Sequence, residues 1–282
     1  MKTALLALMF TLPGLVQADS YPNAQSIVSI GGPVTEIIFA LGAGDRVTAR
    51  DTTSVFPPEV NDLPDVGYMR QLSAEGVLSV GPDLILTRDT AGPPETLDQL
   101  RAASIPVVEV HDAYTKTALL NAVDTVGAAL GAEPAAQALH TEIAAQFDAL
   151  ENLIAAQHNA PRVLFILSNQ DGRLNVAGRG TGADGIITLS GGLNVMATAF
   201  EGYKIMSTEA LITAAPDVIL MMKGREDHAG KKDDIFALPA LALSPAARND
   251  RFVLIDSAAL GFGPRTAHFA TELHQALSTA AH

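Results

Sequence analysis

Ser73-Ala74-Glu75-Gly76-Val77-Leu78-Ser79-Val80-Gly81-Pro82-Asp83-Leu84-Ile85-Leu86 has a counterpart 134 residues further on. It is Ser207-Thr208-Glu209-Ala210-Leu211-Ile212-Thr213-Ala214-Ala215-Pro216-Asp217-Val218-Ile219-Leu220. Ser, Glu, Pro-Asp and the closing Ile-Leu recur in register. Each copy reads as a short helix with Ser as its N-cap and Glu in its first turn. A Pro-Asp turn then leads into a buried apolar strand. A repeat at this distance is no solenoid period. It predicts two similar α/β lobes in one chain, with a cleft between them where a small ligand can bind.

Around the two copies, apolar runs and helical patterns alternate, punctuated by Gly and Pro, which predicts mostly parallel sheets flanked by helices. Strands are expected at Ser26–Ile30, Val47–Arg50, Leu84–Thr87 and Pro106–Val110, with helices at Val34–Leu41, Glu95–Ala103 and Tyr114–Leu130. Val66–Arg70 reads as a loop. Glu133–Gln157 reads as one uninterrupted helix, with Leu139, Ile143, Phe147, Leu150 and Ile154 on one face. At about 1.5 Å per residue it spans roughly 37 Å, long enough to be a strut between lobes. The second lobe is expected to repeat the first. It has strands at Arg162–Ser168, Val195, Val218–Met222 and Phe252–Ile255, and helices at Ala183–Leu189 and Thr266–Ala280. A polar surface loop covers Lys223–Asp234. The organisation is then an N-terminal lobe over 19–131, a bridging helix over 132–160 and a C-terminal lobe over 161–282, forming a rigid clamshell.

Met1-Lys2-Thr3 precedes a short apolar run broken by Pro13 and Gly14, and Val16-Gln17-Ala18 fits a small-residue cleavage site. This is the pattern of a secretory signal peptide cut after Ala18 rather than of a membrane span. With no cysteine in the chain, disulfides and thiolate ligands are excluded, and so is a lipid anchor on a cleavage-site Cys. A free protein of the periplasm is expected. The net charge of −13, one unit more negative without Lys2, argues against nucleic acid as a partner.

The glycine run Gly178–Gly182 lacks the Gly-Lys-Ser/Thr of a phosphate loop and reads as a tight turn into a helix. Gly-x-Ser-x-Gly and His-Glu-x-x-His are absent. None of the seven histidines precedes His111, and His228 in the polar segment is the one candidate for the cleft. What remains is Gly67-Tyr68-Met69-Arg70, just before the first Ser-x-Glu. In extended backbone, Tyr68 and Arg70 project to one face. A guanidinium within reach favours the phenolate, a hard oxygen donor suited to Fe(III). The alternative is a surface tyrosine packed on its loop, and spacing leaves both open.

Across the mature chain, and most specifically over Gly67-Tyr68-Met69-Arg70-Gln71-Leu72-Ser73-Ala74-Glu75-Gly76, the sequence resembles the periplasmic substrate-binding proteins of haem ABC transporters. This two-lobed, single-helix class also carries siderophores and cobalamin. The resemblance implies a monomer that is no enzyme. It would bind ferric haem (haem b) with Tyr68 as axial iron ligand and Arg70 hydrogen-bonded to the phenolate. It would then deliver the haem to an inner-membrane permease and its ATPase. Glu75 and Glu209 would dock into basic pockets on the two permease subunits, although a first-turn Glu is also explained by the helix dipole alone. Arg179, Lys223 and Arg225 are candidate partners for the haem propionates. Some relatives use a second-lobe histidine for a second haem. No histidine lies between His158 and His228, so one five-coordinate haem is expected, with Met196, Met206 and His228 as the residual candidates for another ligand. A ferric-siderophore or cobalamin carrier of the same fold is the alternative.

Overall fold

The computed structural model describes residues 20–223 and 232–278. The signal-peptide segment, Arg225 and His228 lie outside these residues. The N-terminal lobe is built from β1 (Ile27–Ile30), α1 (Gly32–Ala40), β2 (Val47–Arg50), α2 (Ala74–Leu78), β3 (Leu84–Arg88), α3 (Pro94–Ala102), β4 (Val107–Val110) and α4 (Lys116–Leu130). Its four strands form one parallel sheet in the order β2-β1-β3-β4. Helix α5 (Glu133–Ala155) follows. The C-terminal lobe holds β5 (Arg162–Gln170), β6 (Arg173–Ala177), α6 (Gly182–Leu189), β7 (Leu193–Asn194), β8 (Tyr203–Ile205), α7 (Thr208–Ala214) and β9 (Val218–Met222). It ends with α8 (Lys232–Ala237), α9 (Pro245–Arg248), β10 (Phe252–Ile255) and α10 (Thr266–Ser278). Its sheet runs β10-β9-β5-β6-β8, with β7 beside β5.

The repeated segments have one physical logic. Ser73 and Ser207 cap α2 and α7, each hydroxyl accepting from the backbone amide three residues on, Gly76 and Ala210. The recurring Asp is a clip. Asp83 accepts from the amides of Gln25 (2.8 Å) and Ser26 (3.0 Å), and Asp217 accepts from that of Arg162 (3.0 Å). Each carboxylate thus pins the entry of a central strand, β1 or β5, to the strand that follows its own turn. Gly81 holds the left-handed conformation before the first Pro-Asp (φ +63°). Ala215 holds it before the second (φ +39°), a conformation a Cβ disfavours.

The second lobe departs from the first most clearly in its sheet. Asp171 (φ +52°) and Gly172 (φ +83°) close a two-residue hairpin between β5 and β6, and β8 extends it antiparallel. The Asp-Gly pair is the sequence signal for that hairpin, whereas the strand was expected to stop at Ser168. Of the expected loop Lys223–Asp234, Lys232–Asp234 belongs instead to α8, and 224–231 lie outside the described residues.

Side chains alternate across both sheets with period two. Ile27, Leu84, Leu86, Val163, Phe165, Val218 and Leu220 enter one shared core, together with Ile143, Phe147 and Leu150 of α5 and Leu273 and Leu277 of α10. Val28 and Ile85 face a separate N-lobe core, and Leu164, Ile166, Ile219 and Met221 a separate C-lobe core. Helix α5 is therefore no bare strut but the middle of a core common to both lobes. Truncating Phe147, which is 1% exposed, should cost about 3–5 kcal/mol. Denaturant unfolding of Phe147→Ala should show one cooperative transition at lower midpoint. Two separated transitions would mean that the lobes do not share a core.

Candidate functional site

The loop Val66–Arg70 is pinned on all sides. Gly67, at φ +99°, turns the chain, and its amide donates to Asp65 Oδ1 (2.8 Å) while its carbonyl accepts from Thr52 (3.0 Å). Met69 is buried, and its carbonyl accepts from the Gly92 amide (2.9 Å). With Met69 as the inward anchor, Tyr68 and Arg70 on either side are both exposed and line the same cleft, although the chain turns here, the Gln71 amide donating to the Tyr68 carbonyl (2.8 Å), rather than running in the extended form expected from the sequence. Tyr68 is 43% exposed.

That cleft lies between the lobes and has a volume of about 490 Å³, within the range of small-ligand pockets. The N-lobe contributes Thr53, Val55, Tyr68, Arg70 and Arg88, and the C-lobe Gly182, Tyr203, Asp256 and Arg265. Three of the chain's four tyrosines, Tyr68, Tyr114 and Tyr203, line it. Burial raises the Tyr114 phenol pKa above the ordinary value, and Asp112 adds to this, against the opposing pull of Arg88 and Arg70. Burial likewise raises that of Tyr203, with Tyr114 adding to it and contacts to Thr181, the Ala183 backbone and Arg70 opposing. Tyr114 is further fixed edge-on against Phe262, ring centres 5.2 Å apart. Arg88 is committed to Asp112 in a nearly buried ion pair.

At one edge of the cleft the lobes are clasped. Arg265, just before α10, forks onto Glu36 of α1 with bonds of 2.9 Å from Nε and 2.7 Å from a terminal nitrogen. Its guanidinium also stacks on Phe56, 3.7 Å from the ring centre. Gly263 lies against this pair, where an added Cβ would come within 3.2 Å of the Glu36 carboxylate.

The other candidates fall elsewhere. Arg179 is turned to Glu201 (3.0 Å) on the C-lobe surface and does not line the cleft. Lys223 lines a separate small hollow beside Ile255 and Phe269. Met196 is buried in the C-lobe core and Met206 packs against it, so neither is presented to a ligand in the cleft. Among the described residues no group of three or more His, Asp or Glu is placed to hold a metal ion. Glu75 and Glu209 are exposed in the first turns of α2 and α7. Sequence reasoning missed Tyr114, Tyr203, Arg88 and the Glu36–Arg265 clasp. The scarcity of tyrosine could have flagged the first two. The clasp joins residues too far apart in the chain to be paired by pattern.

A family model described as "Periplasmic binding protein" matches residues 27–259. The apo structure of the periplasmic heme-binding protein RhuT from Roseiflexus sp. RS-1 is 38% identical, covering 92% of this chain and 100% of that one, with a TM-score of 0.85. A periplasmic heme-binding protein from Pseudomonas aeruginosa is 33% identical over 92% of this chain and 94% of its own, with a TM-score of 0.82. Among curated sequences, the vitamin B12-binding protein of Vibrio campbellii is 26% identical over 243 residues, 83% of this chain and 85% of that one.

The clasp gives a direct expectation. Glu36→Gln removes the charge partner of a partly buried guanidinium, at a cost of about 1–3 kcal/mol. Thermal unfolding should fall by several degrees, and small-angle scattering of the ligand-free protein should show a larger radius of gyration. An unchanged radius would mean that the shared core alone sets the lobe angle.

Proposed function

As the chain belongs to the periplasmic binding protein family, we propose that it captures ferric haem in the inter-lobe cleft and delivers it to an inner-membrane ABC permease. The family consists of substrate-binding transport proteins rather than enzymes. The observation that carries the haem reading is the exposed Tyr68–Arg70 pair on the cleft wall. Ferric iron binds a phenolate in preference to a phenol. The Tyr68 oxygen therefore gives up its proton on ligation, and a guanidinium beside it supports the resulting anion. Haem b also brings two propionates. Arg70 and Arg265 are the cleft cations able to meet them, Arg265 by exchanging Glu36 for the new carboxylate. The 38% and 33% identity to two periplasmic heme-binding proteins supports the same reading.

A cobalamin carrier is the second reading, favoured by the vitamin B12-binding relative. Cobalamin brings its own axial base and neutral amide arms, so it has no use for a phenolate backed by arginine. In the haem reading the chain is exported by a signal peptide cut after Ala18, works in the periplasm as a monomer, and makes and breaks no bond in its cargo.

Replacing the Tyr68 oxygen tests this. Tyr68→Phe should lower hemin affinity by at least about tenfold, that is 1.4 kcal/mol, and remove the phenolate-to-iron charge-transfer band. Arg70→Ala should weaken binding while keeping the band. A Tyr68→Phe spectrum identical to wild type would assign the iron to another residue.

Glu75 and Glu209 would face basic pockets on the permease. Exposed pairs contribute only about 0.2–1 kcal/mol each and are screened by salt. In reconstituted transporter, each Ala variant should reduce haem uptake modestly and the double variant more, with hemin affinity of the isolated protein intact. Full uptake by the double variant would restrict both residues to helix capping.

A further inference from the structure

One carboxylate lies behind the N-lobe wall of the cleft. Asp51, which follows β2, is 0% exposed. A buried charge is costly unless its oxygens are satisfied. Here Oδ1 accepts from the Gly31 amide (2.8 Å) and the Ser54 hydroxyl (2.6 Å). Oδ2 accepts from the Thr53 amide (2.9 Å) and the Thr53 hydroxyl (2.7 Å). Behind Ser54 the bonds continue to Thr35 on α1 (2.7 Å), and from Thr35 to Ser29 on β1 (2.6 Å). Ser29, Thr35 and Ser54 are fully buried as well. Because Ser54 gives its proton to the carboxylate, it accepts from Thr35, and Thr35 accepts from Ser29. One anion thereby orients a chain of hydroxyls. It ties β1, α1 and the segment after β2 into a single knot.

The cleft side of this knot carries the Tyr68 loop. Through its bond to the amide two residues on, Asp51 closes a turn over residues 51–54, and the Ser54 amide donates to the Asp51 carbonyl (3.1 Å). Two residues of that turn touch the loop. The Thr52 amide donates to the Gly67 carbonyl (3.0 Å), and the Thr53 hydroxyl lies 3.9 Å from the Met69 sulfur. Gly67 and Met69 are the chain neighbours of Tyr68. On its other side the turn meets the start of α1. Thr53 Oγ1 accepts from the Gly32 amide (3.2 Å), and a Cβ added at Gly32 would come within 2.9 Å of the Thr53 carbonyl. The turn is thus wedged between the helix that carries Glu36 and the loop that carries Tyr68. Thr53 lines the cleft, and Asp51 does not.

We infer that Asp51 is a positioning residue for cargo ligation: from behind the wall it fixes Thr53 against Met69 and so holds the Tyr68 oxygen where the iron meets it. This rests on the haem reading above. Asp51 acts through Tyr68 and touches no cargo. Asn in its place keeps the shape but turns an NH₂ toward one pair of donors, so those bonds are lost or the turn shifts.

Hemin titration of the full protein tests this, with and without Asp51→Asn, in the wild-type and Tyr68→Phe backgrounds. Circular dichroism shows whether each variant is folded. Asp51→Asn should weaken hemin binding about tenfold and shift the phenolate-to-iron band. In the Tyr68→Phe background it should change affinity by less than about twofold, because the group it positions is gone. A residue that only stabilises the fold would lower the unfolding midpoint and leave the band of the folded protein unchanged. Thr53→Val and Thr53→Ser carry the test if Asp51→Asn does not fold. Val should reproduce the weaker binding and the shifted band, and Ser, which keeps the hydroxyl, should recover both. Wild-type affinity and band in Asp51→Asn, a wild-type band in Thr53→Val, or an equal loss with and without the Tyr68 oxygen overturns the inference and leaves the haem reading standing. Wild type that binds no hemin overturns the haem reading and this inference together.

Discussion

Burial of one face of α5 is the constraint on which the rest depends. Ile143, Phe147 and Leu150 lie in a core that also holds β1 and β3 of one sheet and β5 and β9 of the other. Two lobes sharing a core cannot swing freely, because opening would expose apolar surface at about 25 cal/mol per Å². The cleft is therefore set by packing before any ligand arrives. The Glu36–Arg265 fork, with Phe56 beneath the guanidinium, adds a polar fastening at its edge. A preformed cleft spares a ligand the cost of ordering its own site.

Within that frame the chemistry is concentrated by composition. The chain has four tyrosines and no cysteine or tryptophan, and three of those tyrosines line the cleft. Of the cleft's arginines, Arg88 is tied to Asp112 and Arg265 to Glu36. Arg70 is exposed on the same cleft wall as the exposed Tyr68, with the buried Met69 between them in the chain. The site is therefore rich in phenol oxygens, and most of its arginine charge is matched by carboxylates. In the haem reading, these phenols and Arg70 would meet a hard metal and carboxylate arms.

Much of this was legible in the chain. The Ser-x-Glu and Pro-Asp repeat gave both lobes, because a side-chain cap and a carboxylate clip are local devices with fixed spacing. Tyr68 and Arg70 were legible as two polar residues flanking an apolar one just before the first Ser-x-Glu, although a turn, not extended backbone, brings both to the cleft. Tyr203 was not, because its spacing to Ser207 is one residue short of that between Tyr68 and Ser73. The β5–β6 hairpin was missed although Asp171-Gly172 announces it, because the alternation of strands and helices around it reads as parallel sheet throughout. Arg179 and Lys223 were chosen for charge alone, and charge does not say which way a side chain turns. The clasp between residues 36 and 265 depends on tertiary closure that no local pattern encodes.

The central claim is that this cleft is built for haem rather than for another large metal chelate. Equilibrium dialysis of the wild-type protein against hemin and against cyanocobalamin, in matched buffers, tests it most directly. The account predicts tight retention of hemin, with a visible spectrum distinct from that of free hemin, and no retention of cyanocobalamin. Retention of cyanocobalamin with hemin left free would contradict it.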